Sequence, residues 1–233
     1  MIKIATWNMC YLWHRNRFEN TWNHLIDKIN PDIALVQESI PSKIRKFKNF
    51  LWNEIGGNCD WGSGILSRYP IEKIEFENSF KGSVIAGEVT LPSGAKITIV
   101  SVYAKFEGEY SIIPLHRIFS DLTLLLDGKL GKRDIILGGD FNASLQFDKQ
   151  QPGNSHKIFF ERVKNFGLID CLEKFYDEPV QTFRHRSSKK PWQIDYLFVS
   201  KRLSNTVKDC KPIQDSEIIS LSDHNPVILN LNI

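Results

Sequence analysis

The sequence predicts an α/β fold whose sheets mix parallel and antiparallel strands. Strand-like and helix-like periodicities alternate from end to end, as in folds where helices flank sheets. A central pair of β-rich runs, SVIAGEVTL and AKITIVSVY, is joined by Pro92-Ser93-Gly94, which is turn chemistry between antiparallel partners. The apolar runs DIALVQE at 32–38 and DIILGG at 134–139 have the composition of buried strands.

Taken in order, Ile2 to Asn8 alternates as a strand. Phe18, Trp22, Leu25, Ile26 and Ile29 then recur at helical spacing until Pro31 stops the helix. Strand 32–38 follows, then the central hairpin. Leu115, Ile118, Phe119, Leu122, Leu125 and Leu126 line one face of a helix that leads into strand 134–139. Phe159, Val163 and Phe166 mark another helix, and IDYLFVS and PVILNLN close the chain as strands. Repeats, low-complexity tracts and a Pro/Ser-rich linker are absent from the sequence, so residues 1–233 are expected to form a single domain.

Composition narrows the classes. At 233 residues, 42% hydrophobic and 24% charged, the chain reads as an ordinary globular protein with a sizeable core. A formal charge of +3 favours an anionic partner only weakly. Cys10, Cys59, Cys171 and Cys210 are scattered without a CxxC pair, which points to reduced structural thiols and not to a zinc site. The opening MIKIATWN leaves no room for a secretory leader, and no apolar run approaches the roughly 20 residues of a membrane span. The expectation is a cytoplasmic location, with no membrane span and no protein partner implied.

Polar residues gather where the predicted strands end: Asn8, Glu38, Tyr103, Asp140, Asn142, Asp195, Asp223 and His224. Strand ends in α/β folds are where loops bring distant positions into one crevice. A lone Asp or Asn there is usually a turn former or helix cap, but eight such positions strain that explanation. The blocks TWN (6–8), QE (37–38), GDFN (139–142), IDY (194–196) and SDH (222–224), with GSGILSRYP from Gly62, span nearly the whole chain. Together and in this order they resemble the endonuclease/exonuclease/phosphatase family.

That resemblance implies a four-layer α/β sandwich, two packed mixed sheets flanked by helices, and a metal-dependent phosphodiesterase. The expected ion is Mg²⁺, with Mn²⁺ as a substitute, because hard cations take oxygen ligands and few carboxylates. Glu38 is the principal expected ligand, joined through the resemblance by Asn8 and Asp223. Asp140 would orient or deprotonate the attacking water and Asn142 would hydrogen-bond the phosphate. His224 would act with Asp195 as an acid/base pair, the carboxylate fixing the tautomer, and Tyr103 would donate to a phosphoryl oxygen. The remaining histidines, His14, His24, His116, His156 and His185, carry no motif and are left outside catalysis.

The chemistry does not specify the leaving group, so the substrate rests on loops. Arg184, His185, Arg186, Lys189 and Lys190 form a basic run before Asp195, with Trp192 three residues ahead of it. Such a run suits a nucleic-acid backbone, with the indole stacking on a base. Lys43, Arg45, Lys46 and Lys48 would extend the same surface. Trp52 and Trp61 suit either a base or a lipid interface, which keeps a phospholipid phosphodiesterase as an alternative to the favoured nuclease, an endonuclease acting on DNA or RNA. A phosphatase of small metabolites and a catalytically dead scaffold are the remaining readings. QES stands where abasic-site endonucleases of the family usually carry QET followed by Lys, so the resemblance does not extend to a dedicated abasic-site role.

Overall fold

The computed structural model describes residues 1–12, 15–40, 47–56, 59–108, 111–126, 133–149 and 153–233, with the side chains of Arg17 and Cys59 also outside the description. Among the described residues, twelve strands form two six-stranded sheets. The first contains β1 (Ile2–Asn8), β2 (Ile33–Ser39), β3 (Asn49–Gly56), β4 (Cys59–Ser67), β11 (Val207–Pro212) and β12 (Val227–Leu231), ordered β11-β12-β1-β2-β4-β3. The second contains β5 (Ile71–Lys73), β6 (Val84–Thr90), β7 (Lys96–Tyr103), β8 (Asp134–Asp140), β9 (Leu168–Asp170) and β10 (Asp195–Ser200), ordered β5-β6-β7-β8-β10-β9.

Both sheets share one arrangement. A central parallel pair, β1 with β2 or β7 with β8, is flanked by antiparallel strands on each side. The predicted hairpin is β6 and β7, in continuous register from Val84↔Val102 to Thr90↔Lys96.

Ile4, Leu35 and Leu229 from one sheet meet Ile99, Ile136 and Leu197 from the other in a core between the sheets. The outer face of the first sheet is covered by α1 (Phe18–Asn23), its π-helical continuation His24–Ile29, and α6 (Ser216–Leu221). The second is covered by α2 (Ile112–Asp121), α3 (Thr123–Leu126) and α5 (Ser155–Asn165), through Leu115, Phe119 and Phe159. The short α4 (Leu145–Asp148) precedes α5. The layers are therefore helix, sheet, sheet, helix, the sandwich that the motifs implied. The Phe18–Ile29 helix departs from the α geometry expected of its spacing, since its second half widens to π turns before Asn30 ends it with a φ of 53°.

Candidate active site

Strand register places the polar residues. Asn8 and Glu38 lie at the carboxyl ends of parallel neighbours β1 and β2, where Asn8 pairs with Gln37. Tyr103 and Asp140 face each other at the ends of β7 and β8, and Asp195 opens β10 directly opposite Asp140. His224 precedes β12, which runs antiparallel to β1 and so begins at the edge where β1 ends. Parallel strands contribute their ends here and antiparallel neighbours their beginnings, so one edge of the sandwich collects all of these residues.

The local backbone is bent to serve that edge. Glu38 sits at an irregularity in the β2–β4 pairing with a φ of 43°, and Cys10 and Asn142 have φ values of 51° and 45°. Left-handed conformations cost non-glycine residues free energy and concentrate at functional sites. Gly139 has a φ of 143°, and a Cβ there would lie 1.8 Å from Val102 O. Only glycine lets β8 lie that close to β7 immediately before Asp140.

Asn8 Nδ2 bridges the two sheets, donating to Glu38 Oε1 at 3.1 Å and to Asp140 Oδ2 at 2.9 Å. Its Oδ1 accepts the Cys10 N–H at 2.9 Å. Tyr103 donates its hydroxyl to Glu38 Oε1 at 3.1 Å. Burial, reinforced by Glu38 and Asp140, holds that phenol protonated. Asn142 donates to Asp140 twice, from its backbone at 2.9 Å and its side chain at 3.2 Å. Asn8 and Tyr103 thus orient carboxylates within the site.

His224 Nδ1 lies 2.9 Å from Asp195 Oδ2, the pairing the sequence predicted. Its Nε2 faces Asp140 Oδ2 and Asp223 Oδ1, each at 4.0 Å. Burial alone would push the imidazole down, but Asp195 and then Asp140 outweigh it and raise the group to about 10. Asp140 is raised to about 7, chiefly by burial and opposed by the His224 charge. The two carboxylates thus favour the charged imidazole, while burial favours the protonated form of Asp140.

Glu38 and Asp223 present oxygen donors suited to a hard cation, and Asp223 Oδ1 is buried without a hydrogen-bond partner among the described residues. Asp140, Asp195 and His224 also place ligand atoms within 4.8 Å of one another. The buried thiol of Cys10 is pushed up by burial, then by Asp223 and Glu38, so it stays protonated beside the acidic wall.

The loop before Asp195 differs from expectation. Arg184 is half-buried: its backbone N–H donates to Asp223 O at 2.8 Å and its guanidinium donates to Ser222 O and Asn225 Oδ1. It braces the SDH turn, correcting the expectation of a phosphate-tracking side chain. Trp192 is 7% exposed, packs on Phe147 at 4.9 Å and donates Nε1–H to Ser188 Oγ, so it is a wall and not an open stacking platform. Arg186 and Lys189 are exposed. Trp61 is also buried, edge-on to Tyr103, and Trp52 is half-buried, so neither is an exposed lipid-inserting ring. His116 packs edge-on to Phe159 among the helices. Lys43, Arg45, Lys46 and His14 lie outside the described residues.

Several supporting residues were given no role from the sequence: Ser222 and Tyr196 inside the SDH and IDY blocks, and Thr182 and Phe183 outside any block. Ser222 Oγ donates to Asn8 O at 2.8 Å and accepts the His224 N–H at 3.0 Å. Thr182 Oγ1 accepts the N–H groups of Ile194 and Asp195, each at 3.0 Å. Tyr196 donates to Ala143 O and Gln193 O, tying the GDFN turn to the loop ahead of β10. Phe183 forms β-bridges with Trp192 and His224 and lays its ring 4.8 Å from the imidazole. Membership of a named block was the available cue for Ser222 and Tyr196; Thr182 and Phe183 had none. Beside Asn142 opens a cleft of about 730 Å³, walled by Phe106, Ile112, Phe147, Phe183, Trp192 and Ile194.

Comparison with known proteins agrees with this layout. The model of the Endonuclease/Exonuclease/phosphatase family matches residues 5–224. The chain is 25% identical, over 99% of its length and 71% of the relative's, to a DNA-(apurinic or apyrimidinic site) endonuclease of Dictyostelium discoideum. Solved structures share the fold. A 3'-5' exonuclease from Neisseria meningitidis has a TM-score of 0.77 at 22% identity, and an AP endonuclease from Archaeoglobus fulgidus 0.75 at 20%, with full coverage of both chains in each case.

Proposed function

Because the chain belongs to the endonuclease/exonuclease/phosphatase family, we propose that it is a Mg²⁺-dependent nuclease that hydrolyses DNA phosphodiester bonds by in-line attack of water. The observation that carries this reading is the Asp195–His224–Asp140 array set against Glu38 and Asp223 on one edge. The Dictyostelium relative being a DNA-(apurinic or apyrimidinic site) endonuclease supports DNA over lipid as substrate. One catalytic unit over residues 1–233 is supported by a site that draws on both sheets.

Asp140, whose carboxyl burial pushes above the usual carboxylate range, accepts a proton from the attacking water. The new P–O bond forms as the bond to the leaving oxygen breaks. The His224 imidazolium, held by Asp195, stabilises charge on the phosphoryl oxygens, and Asn142 orients Asp140. Glu38 and Asp223 would hold Mg²⁺, which supplies Lewis-acid stabilisation of the phosphate. Asn8 and Tyr103 fix Glu38 for that role.

A second reading, incision at abasic sites, is favoured by the activity of that relative despite the QES departure. A substrate panel with Mg²⁺ tests both. The arms are duplex, single-stranded and abasic-site DNA, RNA, and vesicles of choline or inositol phospholipids. DNA cleavage that EDTA abolishes is expected; phospholipid turnover with every nucleic acid intact would sink the nuclease reading.

A further inference from the structure

We propose that Gln37, clamped across the sandwich by Ser101, is a positioning residue that holds Glu38 in its left-handed conformation, a reading that rests on Glu38 as the cation ligand proposed above. Side chains alternate along a strand, so one face of each strand can be followed two residues at a time. Ile2 and Ile4 on β1, Ile33 and Leu35 on β2, and Ile97 and Ile99 on β7 all pack in the core between the sheets. The next positions in those rows are Thr6, Gln37 and Ser101, and there the core turns polar. Gln37 Nε2 donates to Ser101 Oγ at 3.1 Å across the gap and, more loosely, to Thr6 Oγ1 at 3.4 Å within its own sheet. All three residues are wholly buried.

Nearer the edge lies a second trio of the same form, Asn8, Glu38 and Tyr103, joined by the bonds that Asn8 and Tyr103 donate to Glu38. β1 and β7 reach it by advancing two residues, as alternation requires, whereas β2 advances only one. A bulge makes this possible: Val36 pairs with Gly64 and Ser39 with Gly62, so β2 takes three steps where β4 takes two. Ser39, which regular alternation would turn inward, instead donates to Met9 Sδ on the helix-covered face. The consecutive side chains of Gln37 and Glu38 therefore both serve the gap between the sheets, and the φ of 43° at Glu38 is the strain that this demands. Such strain persists only where the surroundings over-determine it. Gln37 supplies that constraint from inside the core, where neither water nor substrate reaches it.

The test reads cation affinity directly, by titrating Mn²⁺ and following the free ion by electron paramagnetic resonance, for wild type, Gln37→Leu, Ser101→Ala and the double variant. Each single variant should weaken Mn²⁺ binding roughly tenfold, and the double variant little more than either, because one bond joins the pair. Ile99→Val, which thins the same core on the same strand, should lower the Tm and leave the affinity unchanged. Ser101→Ala, which removes one hydroxyl, decides the matter if Gln37→Leu does not fold. Unchanged affinity in the folded variants, losses that multiply in the double variant, or an equal loss in Ile99→Val would each overturn the proposal. A wild type that binds no Mn²⁺, or binding that Glu38→Gln leaves intact, would instead remove the ligand assignment of Glu38 and this inference with it.

Discussion

At the sheet edge, Asp140, Asp195, His224 and Asn8 are almost fully buried, and each is held by at least one neighbour in the same network. In residues 183–192 the charges divide: Arg184 turns inward to brace the SDH turn, whereas Arg186 and Lys189 stay exposed. Chemistry is thus placed by strand register, which allows little play, and the proposed grip on the substrate would fall to a loop. A buried ion pair is costly to break, since the surviving charge keeps its desolvation penalty, whereas an exposed charge is cheap to remove. Substitutions in the two regions should therefore differ in kind as well as in size.

The largest effect should come from Glu38→Gln. Glutamine keeps an oxygen for Asn8 and Tyr103 but loses the charge a cation needs, so turnover should fall about 10⁴-fold or more with a nearly unchanged Tm. More than about a tenth of wild-type rate at saturating Mg²⁺ would refute the ligand assignment. His224→Ala and Asp195→Asn should each cost roughly 10² to 10⁴ in kcat, and the double variant far less than their product, because Asp195 acts through the imidazole. Multiplicative losses would show two independent residues.

The loop offers the sharper contrast. Arg184→Ala should lower the Tm by several degrees and the rate about tenfold, since it leaves Ser222 O and Asn225 Oδ1 without their donor beside His224. Lys189→Ala should leave the Tm alone, weaken DNA binding a few-fold, and reduce the slope of log K against log salt by up to about 1. If the two variants behaved alike, the division between brace and grip would fail.

This division marks where the sequence was readable. Asn8, Glu38, Asp140, Asp195 and His224 were visible because strand ends announce themselves through apolar runs that stop at a polar residue. The central strands were visible for the same reason. Edge strands were not: β3, NFLWNEIG, is mostly half-exposed and follows no clean alternation, and β5 and β9 have three residues each. Arg184 and Trp192 were misjudged because their partners lie on distant segments, Ser222 and Asn225 for one and Phe147 for the other. Local composition says that a loop is basic; only tertiary contact says which of its charges is already used.

The smallest effect on catalysis tests whether a raised carboxyl pKa marks the site at all. Asp170, at the end of β9, is raised to about 7 like Asp140, chiefly by burial, yet its near neighbours are the Leu172 N–H at 2.8 Å and a small cavity of about 150 Å³. The folded protein therefore binds a proton at Asp170 that the unfolded chain, with its carboxyl near 3.8, releases. Stability falls as pH rises between those two values and levels off above about 7, a decline of up to roughly 4 kcal/mol from this group. Asp170→Asn cannot release that proton, and its Oδ1 still accepts the Leu172 N–H. The variant should keep wild-type kcat, while its Tm should change less than that of wild type between pH 5 and 8.5. An unchanged pH slope would show that Asp170 ionises freely in the fold. A lost kcat would show that the site reaches beyond the edge where the strands end.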